Sequence, residues 1–158
     1  MPSRRVRPAR WPNRRGPARP EPTVGADVPQ IERFLLAYAD ALAEGDGERV
    51  ADMWELPALV MSDEGTRLVA ERAEVVEFFS HAAEQYRGAG IATTRPEHLA
   101  VEHLGDRISS ADVRWIGVDP DGRSTNYREL STYLLRTGED GRVRIQVALA
   151  RPSRIPAD

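Results

Sequence analysis

The chain contains no cysteine and no lysine. The first absence excludes disulfides, thiolate catalysis and cysteine-ligated zinc. The second excludes Schiff-base chemistry and any lysine nucleophile. All 22 basic residues are arginine, which reads as the compositional habit of a GC-rich genome. Long apolar runs are missing too: nothing approaches the roughly 18 residues that a membrane span requires. There is no G-x-G-x-x-G, no phosphate-binding loop and no serine in a G-x-S-x-G setting, so nucleotide cofactors and a serine-hydrolase elbow have no support.

What is present fits one domain with a tail. The chain has 158 residues, 41% of them hydrophobic, enough for a real core. Its charge is unevenly divided. Residues 1–20 hold seven arginines, five prolines and no acid. Such a stretch cannot bury enough apolar surface to offset its ordering entropy. Residues 1–28 are therefore expected to be a disordered Arg/Pro-rich arm and linker, with the folded domain over 29–150 and a short tail over 151–158. Arg4-Arg5 lacks the apolar segment of an export signal, and the expected location is cytoplasmic, with no membrane contact. Residues 31–150 carry 22 carboxylates against 13 arginines, a net of −9. A body of that sign is a poor nucleic-acid platform, so nucleic acid is expected, if at all, only through the arm.

Periodicity divides the domain in two. Asp27 and Gln30 form a capping pattern with Pro29 early in a helix running to Glu44. Ile31, Phe34, Leu35, Tyr38 and Leu42 recur at helical spacing on it. Gly45 ends this helix, and Asp46 caps a second that buries Val50, Met53 and Trp54. Pro57 breaks it. Two short apolar runs around Ser62–Gly65 follow as a hairpin. A third helix, about Glu71 to Tyr86, has Val75, Phe78, Phe79, Ala82 and Tyr86 on its apolar face. From Ile91 the period becomes two. Strands are expected around Leu99–His103, Ala111–Ile116, Tyr127–Arg136 and Val143–Leu149, the last with Val143, Ile145, Val147 and Leu149 on one face. Asp119-Pro120-Asp121-Gly122 and Glu139-Asp140-Gly141 are turns between them. The fold class is α+β: three N-terminal helices packed on a strongly curved, mixed but mostly antiparallel sheet.

Several segments in this order carry a resemblance. They are Ala43-Glu44-Gly45-Asp46, the turn at Met53-Trp54, Pro57 before a strand, Arg72 to Phe79 after Val69-Ala70, and the terminal Asp140 to Ile145. Together, over roughly residues 30–150, the chain resembles a SnoaL-like domain of the nuclear transport factor two-like superfamily. The resemblance implies a cone, a bent sheet wrapped around a long helix with a cavity open at one end. It also implies a homodimer. Val143 stands where the family usually has tryptophan, which implies a wider cavity. The superfamily hosts isomerases, cyclases, epoxide hydrolases, dehydratases and transport adaptors, so fold alone leaves the activity open.

Candidate chemistry rests on a few residues. A steroid-isomerase-like site needs a carboxylate base in an apolar pocket with a tyrosine or protonated acid as donor. Glu129 shares a strand face with Ser131 and Tyr133, and Tyr38 lies on the apolar face of the first helix. Glu129 with Tyr38 or Tyr133 is one reading. In the other, the tyrosines are core residues with wet hydroxyls and Glu129 faces solvent. Asp112 and Arg114 invite comparison with epoxide hydrolases, but Val113 and Trp115 form the core-facing set, which turns the charged pair outward. The histidines His81, His98 and His103 have no metal-ligand spacing, so no metal and no cofactor are expected. Phe34, Tyr38, Met53, Trp54, Phe79, Val113, Trp115, Tyr133, Ile145 and Leu135 would line the cone.

Three functions compete. The favoured one is a protein that binds a small apolar molecule, with no assignable catalysis. The second is an isomerase, cyclase or dehydratase using Glu129 and a tyrosine. The third is a dimeric interaction module with a basic arm. Leu130, Thr132 and Leu134 alternate with Ser131, Tyr133 and Leu135, so both faces of that strand are partly apolar and the outer one is expected to need a partner.

Overall fold

A computed structural model describes residues 25–151. Of the expected arm and linker over 1–28, residues 1–24 fall outside the described residues, while Ala26 is buried and Asp27 and Val28 begin the first helix; of the expected tail over 151–158, Arg151 closes the last strand and the remainder falls outside the described residues. Helix α1 spans Val28–Glu44, and its start is chemically determined: Asp27 accepts a hydrogen bond from the Gln30 amide at 2.8 Å. Such a cap satisfies one of the four orphan amides of a first turn. Gly45 ends α1 at φ 67°, a left-handed conformation that glycine adopts without strain. Asp46 then caps α2, Gly47–Asp52, through the Arg49 amide at 3.1 Å.

The remaining elements are β1 (Trp54–Ser62), β2 (Gly65–Val69), α3 (Arg72–Ser80), α4 (Ala82–Gly88), β3 (Thr93–His103), β4 (Ile108–Val118), β5 (Ser124–Thr137) and β6 (Val143–Arg151). The six strands form one open, curved sheet in the order β2-β1-β6-β5-β4-β3. Only β1 and β6 pair in parallel; every other neighbour is antiparallel. Short turns join the β3–β6 meander, whereas β1 reaches β6 only after the rest of the chain has been laid down. The helices cover the concave face. Ile31, Leu35, Tyr38, Ala39 and Ala41 of α1 are buried there against Ala111, Val113, Trp115, Tyr133, Leu135 and Ile145 of the sheet. Among the described residues no helix is long and apolar enough to cross a membrane.

Three local expectations change. First, Trp54 does not close the second helix but opens β1, and Pro57 lies inside that strand. Pairing of β1 with β6 is interrupted between Trp54 and Leu59, where proline has no N–H to give to a ladder. Second, the expected third helix is two helices that meet at His81. The Ser80 hydroxyl bonds back to the Val76 carbonyl, a side-chain competition that favours ending a helix. Third, β6 does not keep one apolar face. Leu135 pairs with Ile145 and Leu134 with Val147, so Gln146 is an extra residue. A one-residue bulge exchanges the faces: Val143 and Ile145 point inward, Val147 points outward opposite Leu134, and Ala148 takes the inward place opposite Tyr133.

Candidate functional site

A cavity lies between the helices and the concave face of the sheet. One lobe, of about 240 Å³, is walled by Tyr38, Trp54, Val69, Phe79, Glu129 and Ala148 among others. An adjoining lobe of about 340 Å³ is walled by Leu42, Tyr86, Thr94, Trp115 and Tyr127. Tyr38, Phe78, Phe79, Glu129 and Tyr133 border both. The space follows from side-chain size at inward sheet positions. Tyr133 is flanked in register by Ala111 and Ala148, and Ser131 by Val113 and Ala150. Small residues at these positions leave volume that larger ones would fill.

Glu129 stands at the junction of the lobes. It is half-buried, and its Oε2 accepts a hydrogen bond from the Tyr127 hydroxyl at 2.8 Å. Both residues sit on one face of β5, two apart. Gly117 allows the arrangement: a Cβ there would come within 2.9 Å of the Tyr127 Cβ. Directly across the ladder from Glu129 is Trp115, whose Nε1 donates to the Tyr133 hydroxyl at 3.2 Å. The Tyr38 ring meets Tyr133 edge-on at 6.2 Å and Phe79 at 6.3 Å. Phe79 in turn lies 5.9 Å from Trp54. All four tyrosines of the chain thus gather around one carboxylate.

Every one of these phenols is a weaker acid than free tyrosine. Burial is the first cause for Tyr38, followed by Tyr133 and opposed by the Trp54 indole N–H. Burial again leads for Tyr133, against hydrogen bonds from Ser131 and Trp115 that pull the other way. For Tyr86 and Tyr127 burial comes first and the Glu129 charge second. The phenols therefore remain neutral donors through the physiological range. Chemically, the site offers an acceptor carboxylate, neutral hydroxyl donors and apolar walls. Among the described residues, no cluster of histidine, aspartate and glutamate could hold a metal ion.

The sequence-derived residues divide. Glu129, Tyr38 and Tyr133 come together at the cavity, with Trp54, Phe79 and Trp115 in its wall. Phe34, Met53, Val113, Ile145 and Leu135 instead pack in the core beside it. Ile145 is fully buried and Phe34 stacks behind Tyr38 at 6.4 Å. Asp112 and Arg114 face outward; Asp112 holds Thr132 and Arg151, and Arg114 approaches Glu97 at 3.8 Å. His103 Nδ1 lies 3.1 Å from Ser109 Oγ, while His98 is across from Arg114 on the opposite face. Tyr86, on the apolar face read from the sequence, also reaches the cavity; residues missed from sequence are Tyr127, Phe78 and Ala148. Period two signalled Tyr127, since it is two residues before Glu129; the bulge hid Ala148.

Comparison with known proteins agrees with this architecture. The model of the family described as NTF2-like protein (DUF6841) matches residues 27–153, and the chain belongs to that family. It is similar to an NTF2-like protein with a cystatin-like fold from Novosphingobium aromaticivorans, at 14% identity and a TM-score of 0.63, over 83% of this chain and 84% of that one. A domain of unknown function with a cystatin-like fold from Nostoc punctiforme matches at 20% identity and 0.58, over 83% and 82%. A protein from Catenulispora acidiphila, solved in complex with S-DNPA, matches at 18% identity and 0.56, over 78% and 90%. Likeness at these identities establishes the fold. Among curated proteins, none matches this chain.

Proposed function

We propose that this domain binds a small, largely apolar molecule in the cavity around Glu129. The observation that carries the reading is an apolar space whose few polar groups converge on one carboxylate, the usual form of a small-molecule site. Lobes of about 240 and 340 Å³ exceed the roughly 150 Å³ that suffices for benzene, so a one- or two-ring compound fits. The similar fold from Catenulispora acidiphila that was solved in complex with S-DNPA gives supporting analogy. The test is titration with a panel of neutral one- and two-ring compounds, followed by NMR of the Ala148 and Val69 methyl groups. Binding by a panel member, lost in Ala148→Leu, is expected. Absence of shifts across the panel up to the solubility limit overturns the reading.

The Tyr127–Glu129 hydrogen bond favours a second reading, proton transfer at carbon. Glu129 would act as the base and a neutral tyrosine, Tyr38 or Tyr133, as donor to the developing oxyanion. Wild-type protein would then exchange the α-protons of a bound ketone in deuterium oxide, and Glu129→Gln would lose roughly 10²- to 10⁴-fold of that rate. Equal exchange by both proteins removes this reading. The half-buried Leu130, Leu134 and Val147 on the outer sheet face support self-association; sedimentation at a monomer mass across the micromolar range would refute it.

A further inference from the structure

We propose that the molecule bound in this cavity carries a positively charged nitrogen, an alkylated ammonium, received in the larger lobe between the Glu129 carboxylate and the aromatic rings around it. The inference rests on the cavity-binding reading and specifies its ligand. The larger lobe, of about 340 Å³, has twelve residues in its wall, and Glu129 is the single charged one among them. Seven of the twelve are tyrosine, phenylalanine or tryptophan. Among the described residues Glu129 forms no ion pair. Its neighbour Arg128 goes to Glu97 at 3.2 Å, and the one hydrogen bond to its carboxylate comes from the Tyr127 hydroxyl. A carboxylate drawn part-way out of water without a countercharge is costly, and folded proteins normally pair it. In the smaller lobe Arg67 stands against both Glu74 and Glu129, so the balance there is negative as well.

The field of that carboxylate reaches through the site. Its charge acts on Tyr38, Tyr86, Tyr127 and Tyr133, in each case against loss of the phenolic proton. A field that opposes a phenolate favours a cation at the same place. The acidic body of the domain, with 22 carboxylates against 13 arginines over residues 31–150, adds to it. Aromatic rings supply the second attraction, because the face of a ring is the negative part of its quadrupole. Tyr38 stands at 73° to Phe79 and 77° to Tyr133, and Phe78 stands at 82° to Phe79. Walls set nearly at right angles form a box in which a guest meets ring faces from more than one direction.

The groups that would touch the guest keep surface for it. Glu129, Phe79, Tyr86 and Tyr127 are half-buried, and Phe78 is 63% exposed. Alkylation follows from the supply of acceptors. An unsubstituted ammonium brings three N–H donors. The phenol oxygens already have polar neighbours: Trp54 for Tyr38, Thr94 for Tyr86, Glu129 for Tyr127 and Trp115 for Tyr133. The Glu129 carboxylate is then the remaining acceptor in the larger lobe's ring of aromatics. A nitrogen whose valences are filled by carbon matches such a site, since it asks for charge and ring faces and for few hydrogen bonds.

The test compares 4-hydroxyphenyltrimethylammonium with 4-tert-butylphenol, isosteres that differ by a charged nitrogen in place of a quaternary carbon. Dissociation constants would come from NMR shifts of the Leu42 and Thr94 methyl groups, which border the larger lobe. Full-length protein would be used at physiological salt and slightly acidic pH, where both ligands keep their phenolic proton. The expected result is at least about tenfold tighter binding of the cation, and Glu129→Gln is expected to erase most of that preference. Equal affinities, tighter binding of the neutral compound, or a preference that survives in folded Glu129→Gln overturns the inference. Tight binding of the cation that leaves both methyl signals in place assigns it to the acidic surface and overturns the inference as well. In each of these cases the cavity reading stands if 4-tert-butylphenol or another neutral compound of the panel binds. Failure of both compounds, together with the rest of the panel, overturns both. The wild-type comparison decides the matter even where the variant does not fold.

Discussion

Alkaline unfolding of this protein should be driven by tyrosine alone, and its steepness can be worked from the structure. Lysine and cysteine are absent from the chain, while arginine titrates above about 12 and an α-amino group near 8. The groups that ionise between pH 10 and 12 are then the four tyrosines. All four are raised above the ordinary value of 10.0 in the folded state. The sign follows from proton counts. Below pH 10 folded and unfolded chains both hold the phenolic protons, so stability is independent of these groups. Above it the unfolded chain releases protons that the native state keeps, and stability falls until the folded values are reached. Each fully buried phenol contributes a slope of about 1.4 kcal/mol per pH unit. Tyr38 and Tyr133, 4% and 6% exposed, give about 3 kcal/mol per pH unit together. The more exposed Tyr86 and Tyr127 add a smaller share, reduced by solvent screening. A domain at the lower end of the usual range of roughly 5–15 kcal/mol would lose its stability about two pH units above 10. Urea unfolding midpoints at stepped pH, with phenolate absorbance of the native protein recorded in parallel, measure both sides of the linkage. Tyr38→Phe with Tyr133→Phe should flatten the alkaline slope by about 3 kcal/mol per pH unit. An unchanged slope in that variant, or native phenolate absorbance rising fully at pH 10, would refute the reasoning.

Other positions give independent tests. Gly47→Ala would gain roughly 0.5–1 kcal/mol from helix propensity in an open site, but its Cβ would sit 2.5 Å from the Val76 carbonyl oxygen of α3; a net loss of about 1–3 kcal/mol is expected by urea titration. Ile145→Ala empties a fully buried site at the β1–β6 junction and should cost about 2–5 kcal/mol, read as a lower denaturation midpoint with unchanged slope. Asp140 is held down to about 2 by Arg144 and the Arg142 amide, so its contribution is present above pH 3.8 and fades as pH falls towards 2. Asp140→Asn should therefore make the acid limb less steep, as followed by circular dichroism; an unaltered limb contradicts the assignment.

The helical half was legible because its signals are local. Asp27 and Asp46 cap the first two helices through the amide three residues on, and Gly45 stops α1 in the left-handed region. Period two likewise set Glu129, Ser131 and Tyr133 on one face and Leu130, Thr132 and Leu134 on the other. Non-local choices were not legible. Whether Trp54 ends a helix or starts a strand depends on β6, 91 positions later at Ile145, supplying a parallel partner. The bulge at Gln146 is a property of two strands at once and leaves no mark in the composition of one.

The sequence by itself determined the α+β order of elements, the turns, the outward placement of Asp112 and Arg114, and the chemistry that absent cysteine and lysine exclude. It also restricted the ionisable hydroxyls to four tyrosines. Tertiary structure alone decided that those tyrosines, from α1, α4 and β5, would surround a single carboxylate, and that Phe34, Met53, Val113 and Ile145 would fill the core and not the cavity wall. The physical reason is one of range. Caps, turns and face alternation are settled within a few residues, while a cavity is the volume left over when elements distant in the chain have packed, and no short segment encodes a remainder.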